Sequence, residues 1–253
     1  MGNKNKTYIY GNYACRTDIG KVRMTNEDRV GAYTNAKGNI LLIVCDGMGG
    51  QKKGEYAAQI ALDIISESFL KKQQFLSSLT ARNWIYTVIR EANRVIYEEA
   101  NSHEQYRGMG TTLSLALIYK NSLFTAQVGD SRIYELRNHQ IEKLTDDQTY
   151  VNYLFKTGKI TKEEMLTHPK RHVLVNALGM FPSADFDFKS YPYLNSSILV
   201  CSDGLYNNVN ENDIANVLLS EDSTNQKVNE LIAIANANGG SDNIAVSIWE
   251  AKE

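Results

Sequence analysis

The sequence predicts an α+β fold in which antiparallel sheets are covered by layers of helices. Runs rich in Val, Ile, Leu and Tyr follow one another with short turns between them, which favours antiparallel strand pairing. Two long helical patterns come in succession after the third strand, and a second pair lies near the end of the sequence. This order differs from the regular strand–helix alternation of a parallel sheet.

The predicted strands are apolar, β-branched runs bounded by turn-forming residues. They cover residues 8–15, 28–34, 40–45, 111–119, 123–128, 132–136, 186–191, 197–201 and 243–249. The predicted helices have apolar residues three and four positions apart, which places those residues on one face. They cover residues 55–70, 81–101, 213–219 and 225–236. The polar, helix-biased segment 146–172 interrupts the strands and is predicted to be an inserted flap.

Length and composition are those of an ordinary globular protein. No Pro-rich or Gly/Ser-rich linker divides the 253 residues, so we expect a single domain over residues 1–253. The net charge of -2 disfavours a general binder of nucleic acid or anionic membranes. No run reaches the roughly 18 apolar residues of a membrane span. The first residues also lack the apolar core of a secretory signal.

The cysteines indicate a reducing compartment. Cys15, Cys45 and Cys201 form no Cys-x-x-Cys motif, and each lies in a strand-like run. We therefore expect them to be small buried hydrophobic side chains rather than a catalytic thiol. Together with the missing secretory signal, this predicts a cytoplasmic protein.

Three carboxylates are predicted at the ends of apolar strands that lie far apart in the sequence. Asp46 follows ILLIVC, Asp203 follows ILVCS, and Asp242 precedes NIAVSIW. Asp-Gly after a strand usually marks a hairpin turn, but helical patterns follow both Asp-Gly pairs here. If the acids converge, a cation must lie between them, and oxygen ligands favour Mg²⁺ or Mn²⁺. The spacing by itself leaves their convergence open.

Two familiar glycine-loop motifs do not fit the sequence after Asp46. A dinucleotide fingerprint that starts at Gly47 requires glycine where Lys52 stands. A phosphate-binding P-loop that starts at Gly49 requires lysine where Glu55 stands. The loop is therefore not predicted to bind a nucleotide directly.

Eight short motifs together resemble the metal-dependent Ser/Thr protein phosphatases of the type 2C class, in the bacterial single-domain form. They occur in the order of that family and span residues 13–249. The motifs are TDIGKVRMTNEDR (17–29), VCDGMGG (44–50), RGMGTTL (107–113), QVGDSRIYEL (127–136), LTDDQTYV (144–151), NALG (176–179), LVCSDGLYN (199–207) and GGSDNIAVSIW (239–249). Each motif alone is short, and the ordered set is specific.

The resemblance implies a four-layer α-β-β-α sandwich, in which antiparallel helices flank two antiparallel sheets. It also implies two Mn²⁺ or Mg²⁺ ions at one edge of the sandwich. By this resemblance Asp46 bridges both ions, the Gly47 carbonyl adds a ligand, and Asp203 and Asp242 complete the set. Asp130 resembles the ligand of a weaker third ion, which it shares with Asp203.

The resemblance also assigns the residues around these ligands. Glu27 and Asp28 are expected to hold metal-bound waters, and Arg23 is expected to bind the phosphate. A helical ion pair between Arg23 and Glu27 is the alternative, but the strand-like RVGAYT that follows opens no helix. In the implied mechanism, a water that bridges the two ions attacks phosphorus in phosphoserine or phosphothreonine, which reverses the action of Ser/Thr kinases.

The sequence departs from the family at possible proton donors. Many members carry a histidine where Met48 or Gln51 stands here, so no general acid is assigned. A metal-bound water is the first choice, and His172 is a weaker candidate. Gln148 replaces a histidine that relatives often have, a change expected to matter little for the metals. The role of the basic flap residues stays open between substrate contact and a solvated surface. They are Lys156, Lys159, Lys162, Lys170 and Arg171.

Three functions are weighed on this basis. The first is an active, monomeric phosphatase whose partners are phosphorylated proteins, including a cognate Ser/Thr kinase. The second is an inactive phosphatase fold that binds or regulates, which the retention of Arg23 and every acid disfavours. The third is another two-metal hydrolase such as a nuclease, which the near-neutral charge disfavours.

Overall fold

The computed structural model describes residues 10–49, 53–72 and 74–252. The strands are β1 (Gly11–Asp18), β2 (Asp28–Thr34), β3 (Ile40–Met48), β4 (Gly110–Thr111), β5 (Leu113–Tyr119), β6 (Ser122–Val128), β7 (Arg132–Arg137), β8 (Gln140–Lys143), β9 (Asp187–Pro192), β10 (Ser197–Cys201) and β11 (Ile244–Ala251). The helices are α1 (Lys53–Lys71), α2 (Ser78–Ser102), α3 (Tyr150–Lys156), α4 (Lys162–Thr167), α5 (Asp203–Tyr206), α6 (Glu211–Leu219) and α7 (Thr224–Ala237). Across these residues, no helix combines the length and the apolar character that crossing a bilayer requires.

The strands form two antiparallel sheets. The first has the order β1-β11-β10-β7-β8, and the second has the order β2-β3-β5-β6-β9, with β4 paired to β3. One hydrophobic cluster joins the two sheets face to face and includes Leu42 and Val44 of β3 together with Val200 and Trp249 of the first sheet. This arrangement confirms the predicted sheets and explains why β3 is a continuous apolar run, since both of its faces are buried.

Helices cover the outer face of each sheet. Leu41, Ile43 and Cys45 of β3 point away from the other sheet and pack with α1 and α2. On the opposite side, α6 and α7 pack on the first sheet in a cluster that includes Leu199 and Ile248. The order helix, sheet, sheet, helix confirms the predicted four-layer α-β-β-α sandwich.

Several element boundaries differ from the sequence prediction. The first strand is displaced towards Asp18 because Gly11 to Asp18 pair along β11; residues 8 and 9 lie outside the described residues. The short polar edge strand β8 was not predicted. Cys45 and Cys201 are buried as expected, but the expectation for Cys15 is wrong. Cys15 is exposed because it alternates with the buried Ala14 on an edge strand.

The segment predicted to be a flap contains α3 and α4. Thr149 caps α3 and Thr161 caps α4, each accepting a hydrogen bond from a backbone N–H in the first turn. The segment is closed at its base, where Thr149 pairs with Leu174 in an isolated antiparallel bridge. Both ends of the segment are therefore held at the same place in the fold.

Candidate metal centre

Five aspartates converge at one edge of the two sheets. Asp46 and Asp28 lie directly opposite each other across the β2–β3 pair. Asp203 opens α5 directly after β10, Asp242 precedes β11, and Asp130 lies between β6 and β7. Burial first, and then the charges of the other four aspartates, raise the pKa of Asp46 well above its usual range. Residues remote in sequence thus share one electrostatic environment.

Two glycines let the backbone pack closely at this edge. A Cβ atom on Gly47 would lie 2.2 Å from the carbonyl oxygen of Gly54, at the start of α1. A Cβ atom on Gly204 would lie 1.9 Å from the carbonyl oxygen of Asn243. No side chain fits at either contact. Asp46 and Gly47 lie within β3, and Asp203 and Gly204 open α5, so neither Asp-Gly pair forms a hairpin turn.

Asp28 is held from the first sheet by a serine. Its Oδ2 atom accepts a hydrogen bond of 2.6 Å from the Ser202 hydroxyl, which itself accepts the Ala245 N–H at 2.8 Å. Asp28 is only 1% exposed, and burial raises its pKa to about 7. Asp242 adds to this increase by repulsion, whereas the Ser202 hydrogen bond opposes it. The serine therefore fixes the orientation of a strongly perturbed carboxylate.

Asp203 has one oxygen without a hydrogen bond. Its Oδ2 atom accepts a hydrogen bond of 3.1 Å from Asn207 Nδ2. Its Oδ1 atom is buried and has no hydrogen-bond partner among the described residues. A buried carboxylate oxygen that faces further carboxylates fits a hard divalent cation such as Mg²⁺ or Mn²⁺. Within the described ranges, no group of three or more acidic, histidine or cysteine side chains has the geometry of a metal site. The fit of a cation therefore rests on the chemistry of the donor atoms.

Arg23 extends from the β1–β2 loop to this cluster. Its Nη2 atom lies 2.6 Å from Asp242 Oδ2. The hydrogen bond to Asp242 raises the pKa of Arg23, and the charges of Asp46 and Asp203 add to the increase. Arg23 lies in a loop and not on a helix, which removes the basis for the helical pair with Glu27. The Arg23 side chain is 53% exposed and is thus open to an incoming anion.

Asn243 holds the loop that carries Arg23, although sequence reasoning gave it no role. Its Nδ2 atom donates to the carbonyl oxygens of Ile19 and Thr25, both at 2.9 Å. Its Oδ1 atom accepts the Glu27 N–H at 2.8 Å. One buried side chain thereby fixes both ends of the loop next to Asp242. The available signal was its place beside Asp242 in the GGSDNIAVSIW motif.

Replacing Asn243 with alanine is expected to destabilise the protein by about 2–4 kcal/mol, since it leaves three partly buried backbone groups without partners. Urea unfolding followed by circular dichroism measures this change. Glu230→Gln, an exposed change on α7, serves as the control. A loss below about 0.5 kcal/mol for Asn243→Ala would show that the loop is held by other contacts.

A second network, also missed, supports the segment around Asp130. The Arg132 guanidinium contacts both carboxylate oxygens of Asp147 and lies 3.5 Å from the centre of the Tyr206 ring. The Tyr206 hydroxyl donates to the Asp130 carbonyl oxygen at 3.1 Å. Burial, followed by repulsion from Asp147, raises the pKa of Asp130 to about 6. Arg132 lies in the GDSR motif and Asp147 in the TDDQTY motif, but the spacing of the two motifs did not predict their contact.

The possible proton donors give a mixed result. Met48 is half-buried at the end of β3, and Gln51 lies outside the described residues. His172 is exposed; burial and then Arg171 lower its pKa, while Asp242 acts in the opposite direction. The flap thus brings His172 within electrostatic range of Asp242, but among the described residues no hydrogen bond or ion pair joins it to the cluster.

Three of the five basic flap residues have partners within or near the flap. Lys156 lies 3.5 Å from Asp146. The ammonium groups of Lys159 and Lys170 lie over the rings of Tyr153 and Tyr150, at 5.6 and 5.4 Å from the ring centres. These contacts favour a structural role for the three lysines over direct contact with substrate.

The metal-free protein is expected to lose stability as pH rises from about 4 to about 7. The pKa values of Asp28 and Asp130, about 7 and about 6, lie above the ordinary value of 3.8. Between these values the folded protein binds more protons than the unfolded chain, so the free energy of unfolding falls with pH. The combined loss is on the order of a few kcal/mol.

Urea unfolding in a chelator across this pH range measures the effect. The same series with Mn²⁺ is the comparison, because a cation among the carboxylates removes the repulsion. A stability that stays constant or rises with pH in the chelator would contradict the expected repulsion.

Comparisons with known proteins agree with the fold. Residues 21–246 match the family model described as Protein phosphatase 2C. The serine/threonine phosphatase stp of Listeria monocytogenes is 37% identical over 236 residues, which cover 93% of this chain and 94% of that protein. Protein phosphatase PhpP of Streptococcus pneumoniae is 32% identical over 239 residues, which cover 94% and 96%.

Solved structures show the same similarity. The S. agalactiae serine/threonine phosphatase superposes with a TM-score of 0.90 at 33% identity, and the match covers 96% of this chain and 100% of that one. The catalytic domain of the phosphatase PstP, in complex with two manganese ions, has a TM-score of 0.83 at 30% identity and covers 96% and 99%. The fold and these matches define the class as a phosphatase. The chain belongs to the protein phosphatase 2C family, in its bacterial form.

Proposed function

We propose that this phosphatase hydrolyses phosphoserine and phosphothreonine in proteins and requires Mn²⁺ or Mg²⁺. The observation that carries the proposal is the convergence of four further aspartates on Asp46, whose pKa is raised by burial and then by their charges. Such repulsion needs a cation to offset it. The names of the Listeria and streptococcal relatives, and the two manganese ions in the PstP complex, support the same assignment.

The cluster would hold two ions, with a weaker third. Asp46 would contact both, the Gly47 carbonyl would add a ligand, and Asp203 and Asp242 would complete the set. Asp130 would hold the third ion together with Asp203. When bound, the ions supply an activated water and positive charge for the phosphoryl oxygens.

The surrounding residues would bind and orient the reactants. Glu27 and Asp28 would orient water, and the Ser202 hydrogen bond keeps Asp28 in place for this task. The Arg23 guanidinium would donate to the phosphoryl oxygens, where a planar charged donor binds well. Because Met48 supplies no proton, we assign the protonation of the leaving oxygen to water.

We further propose a monomer that forms one cytoplasmic phosphatase domain over residues 1–253, with the flap at residues 146–172. The cluster that joins the two sheets supports a single domain, and three free cysteines agree with a reducing compartment. Its substrates would be phosphorylated proteins, among them a cognate Ser/Thr kinase.

A single assay tests the proposed function. A phosphothreonine peptide is incubated with the protein, with Asp203→Asn and with the control Glu230→Gln, each with and without Mn²⁺. Hydrolysis that needs Mn²⁺ and disappears only in Asp203→Asn is expected. Hydrolysis without metal would overturn the metal requirement. A lack of hydrolysis under all conditions would favour a binding protein, and cleavage of DNA or RNA instead would favour a nuclease.

A further inference from the structure

A cavity of about 560 Å³ opens at the base of the flap, beside the Asp130 segment. Its wall combines apolar side chains, two amides and one carboxylate. The lining residues include Gln148, Val175, Asn176, Phe181, Pro182 and Asp185. The sequence motifs and the proposed catalytic residues leave this cavity without a role.

The cavity wall is held rigidly from beneath by Asn93 of α2. The Asn93 side chain is 2% exposed, and its Oδ1 atom accepts the Gly179 N–H at 2.9 Å. Its Nδ2 atom donates to the Phe181 carbonyl oxygen at 3.0 Å. Asn176 closes the same wall by donating to the Asp185 carbonyl oxygen at 2.8 Å. The cavity is thus formed before a ligand arrives, which lowers the entropy cost of binding.

The charge of the wall fits a cation. The Asp185 carboxylate forms no ion pair within the described ranges, and neither does the nearby Asp187, which accepts a hydrogen bond from Gln148. On α2, the Arg90 guanidinium lies over the Tyr86 ring, 5.8 Å from its centre, rather than beside these carboxylates. Phe181 is 53% exposed beside them. An aromatic face next to a carboxylate matches the planar guanidinium of arginine.

Gln148 connects this cavity to the candidate metal centre. Its side-chain oxygen Oε1 accepts hydrogen bonds from the Gly129 N–H at 2.9 Å and from Asn176 Nδ2 at 3.0 Å. The backbone N–H of Gln148 donates to the Gly129 carbonyl oxygen at 2.9 Å. Gly129 directly precedes Asp130. Gln148, which lines the cavity, is therefore hydrogen-bonded to the residue next to Asp130 of the candidate metal centre.

We propose that this cavity is a specificity subsite that takes an arginine side chain of the phosphoprotein substrate. The phosphorylated residue would lie at the aspartate cluster, with the arginine a few residues away along the same segment. Asp185 would supply the charge, and Phe181 the stacking surface. This inference rests on the proposed function, because it names the substrate that the same site selects.

The test uses phosphothreonine peptides that differ only at one flanking position, occupied by arginine, by its neutral isostere citrulline or by glutamate. Each flanking position is tested in turn. At the position that meets the cavity, arginine is expected to raise kcat/KM about tenfold, mainly by lowering KM. Asp185→Asn should abolish this preference, and Asp185→Lys should instead favour glutamate at that position. Glu230→Gln is the matched control, and hydrolysis of p-nitrophenyl phosphate should stay unchanged in all variants.

The outcomes separate this inference from the proposed function. An arginine preference that persists in Asp185→Asn, or its absence at every position in the wild type, would overturn the subsite. If no phosphopeptide is hydrolysed, anisotropy of labelled, unphosphorylated peptides decides the matter instead. Binding that needs both arginine and Asp185 supports the subsite, whereas equal binding to Asp185→Asn rejects it.

Discussion

Asp46→Asn is expected to reduce Mn²⁺-dependent phosphatase activity on the order of 10³-fold or more and to raise the stability of the metal-free protein. The carboxylate would contact both ions, and its charge is repelled by four other aspartates. Asparagine keeps the shape and removes the repelled charge. The backbone contacts remain, because Asp46 bonds to Thr112 through its own N–H at 3.0 Å and its carbonyl oxygen at 2.8 Å.

Thermal unfolding at pH 8, with a chelator or with Mn²⁺, measures both parts of this prediction. Each kcal/mol of relieved repulsion raises the midpoint by about 2–4 °C for a chain of this length. Mn²⁺ should stabilise the wild type and the Glu230→Gln control but have little effect on Asp46→Asn. Equal stabilisation of the variant by Mn²⁺ would show that Asp46 does not bind the ions. If Asp46→Asn unfolds at a lower temperature than the wild type in the chelator, charge repulsion at Asp46 is not its dominant contribution to stability.

The fold was predictable because most elements have a strong local pattern. The run in β3 is apolar on both faces since it lies between a helical layer and the other sheet, and the helix after each Asp-Gly excluded a hairpin. The ends of the strands were less predictable where pairing with a distant strand determines them. β3 extends through Asp46 to Met48 because β4 pairs with its end, and this contact joins residues far apart in sequence.

The aspartates of the candidate site were predictable, but the residues that hold the site in position were not. Asp46, Asp203 and Asp242 stand at the ends of apolar runs, where a carboxylate is conspicuous. Asn243 holds the Arg23 loop through contacts with Ile19, Thr25 and Glu27, and no local pattern encodes a contact across more than 200 residues. Gln148 was expected to matter little for the metals, and its contact with the segment before Asp130 was not predicted. Whether it affects metal affinity stays a prediction.

Arg23→Ala is expected to lower kcat/KM for a phosphopeptide by about 10²–10³-fold while leaving the affinity for Mn²⁺ unchanged or higher. Arg23 pairs with Asp242 at 2.6 Å, so a cation at Asp242 competes with the guanidinium for the same carboxylate. Removing the guanidinium frees that carboxylate and removes a positive charge beside the ion. The same change removes the donor proposed for the phosphoryl oxygens. Metal binding and phosphate binding should therefore respond in opposite directions.

The alternative, in which Arg23 only holds Asp242 in position, predicts a different result. Mn²⁺ would then bind more weakly to Arg23→Ala, and excess Mn²⁺ would restore activity. Titration calorimetry with Mn²⁺ and inhibition by inorganic phosphate distinguish the two roles, since only loss of a phosphate-binding group weakens the inhibition. Arg23→Lys is the matched variant and should give an intermediate loss, because it keeps the charge but not the planar pair of donors. Folding should not obscure these results, because an exposed ion pair contributes little to stability.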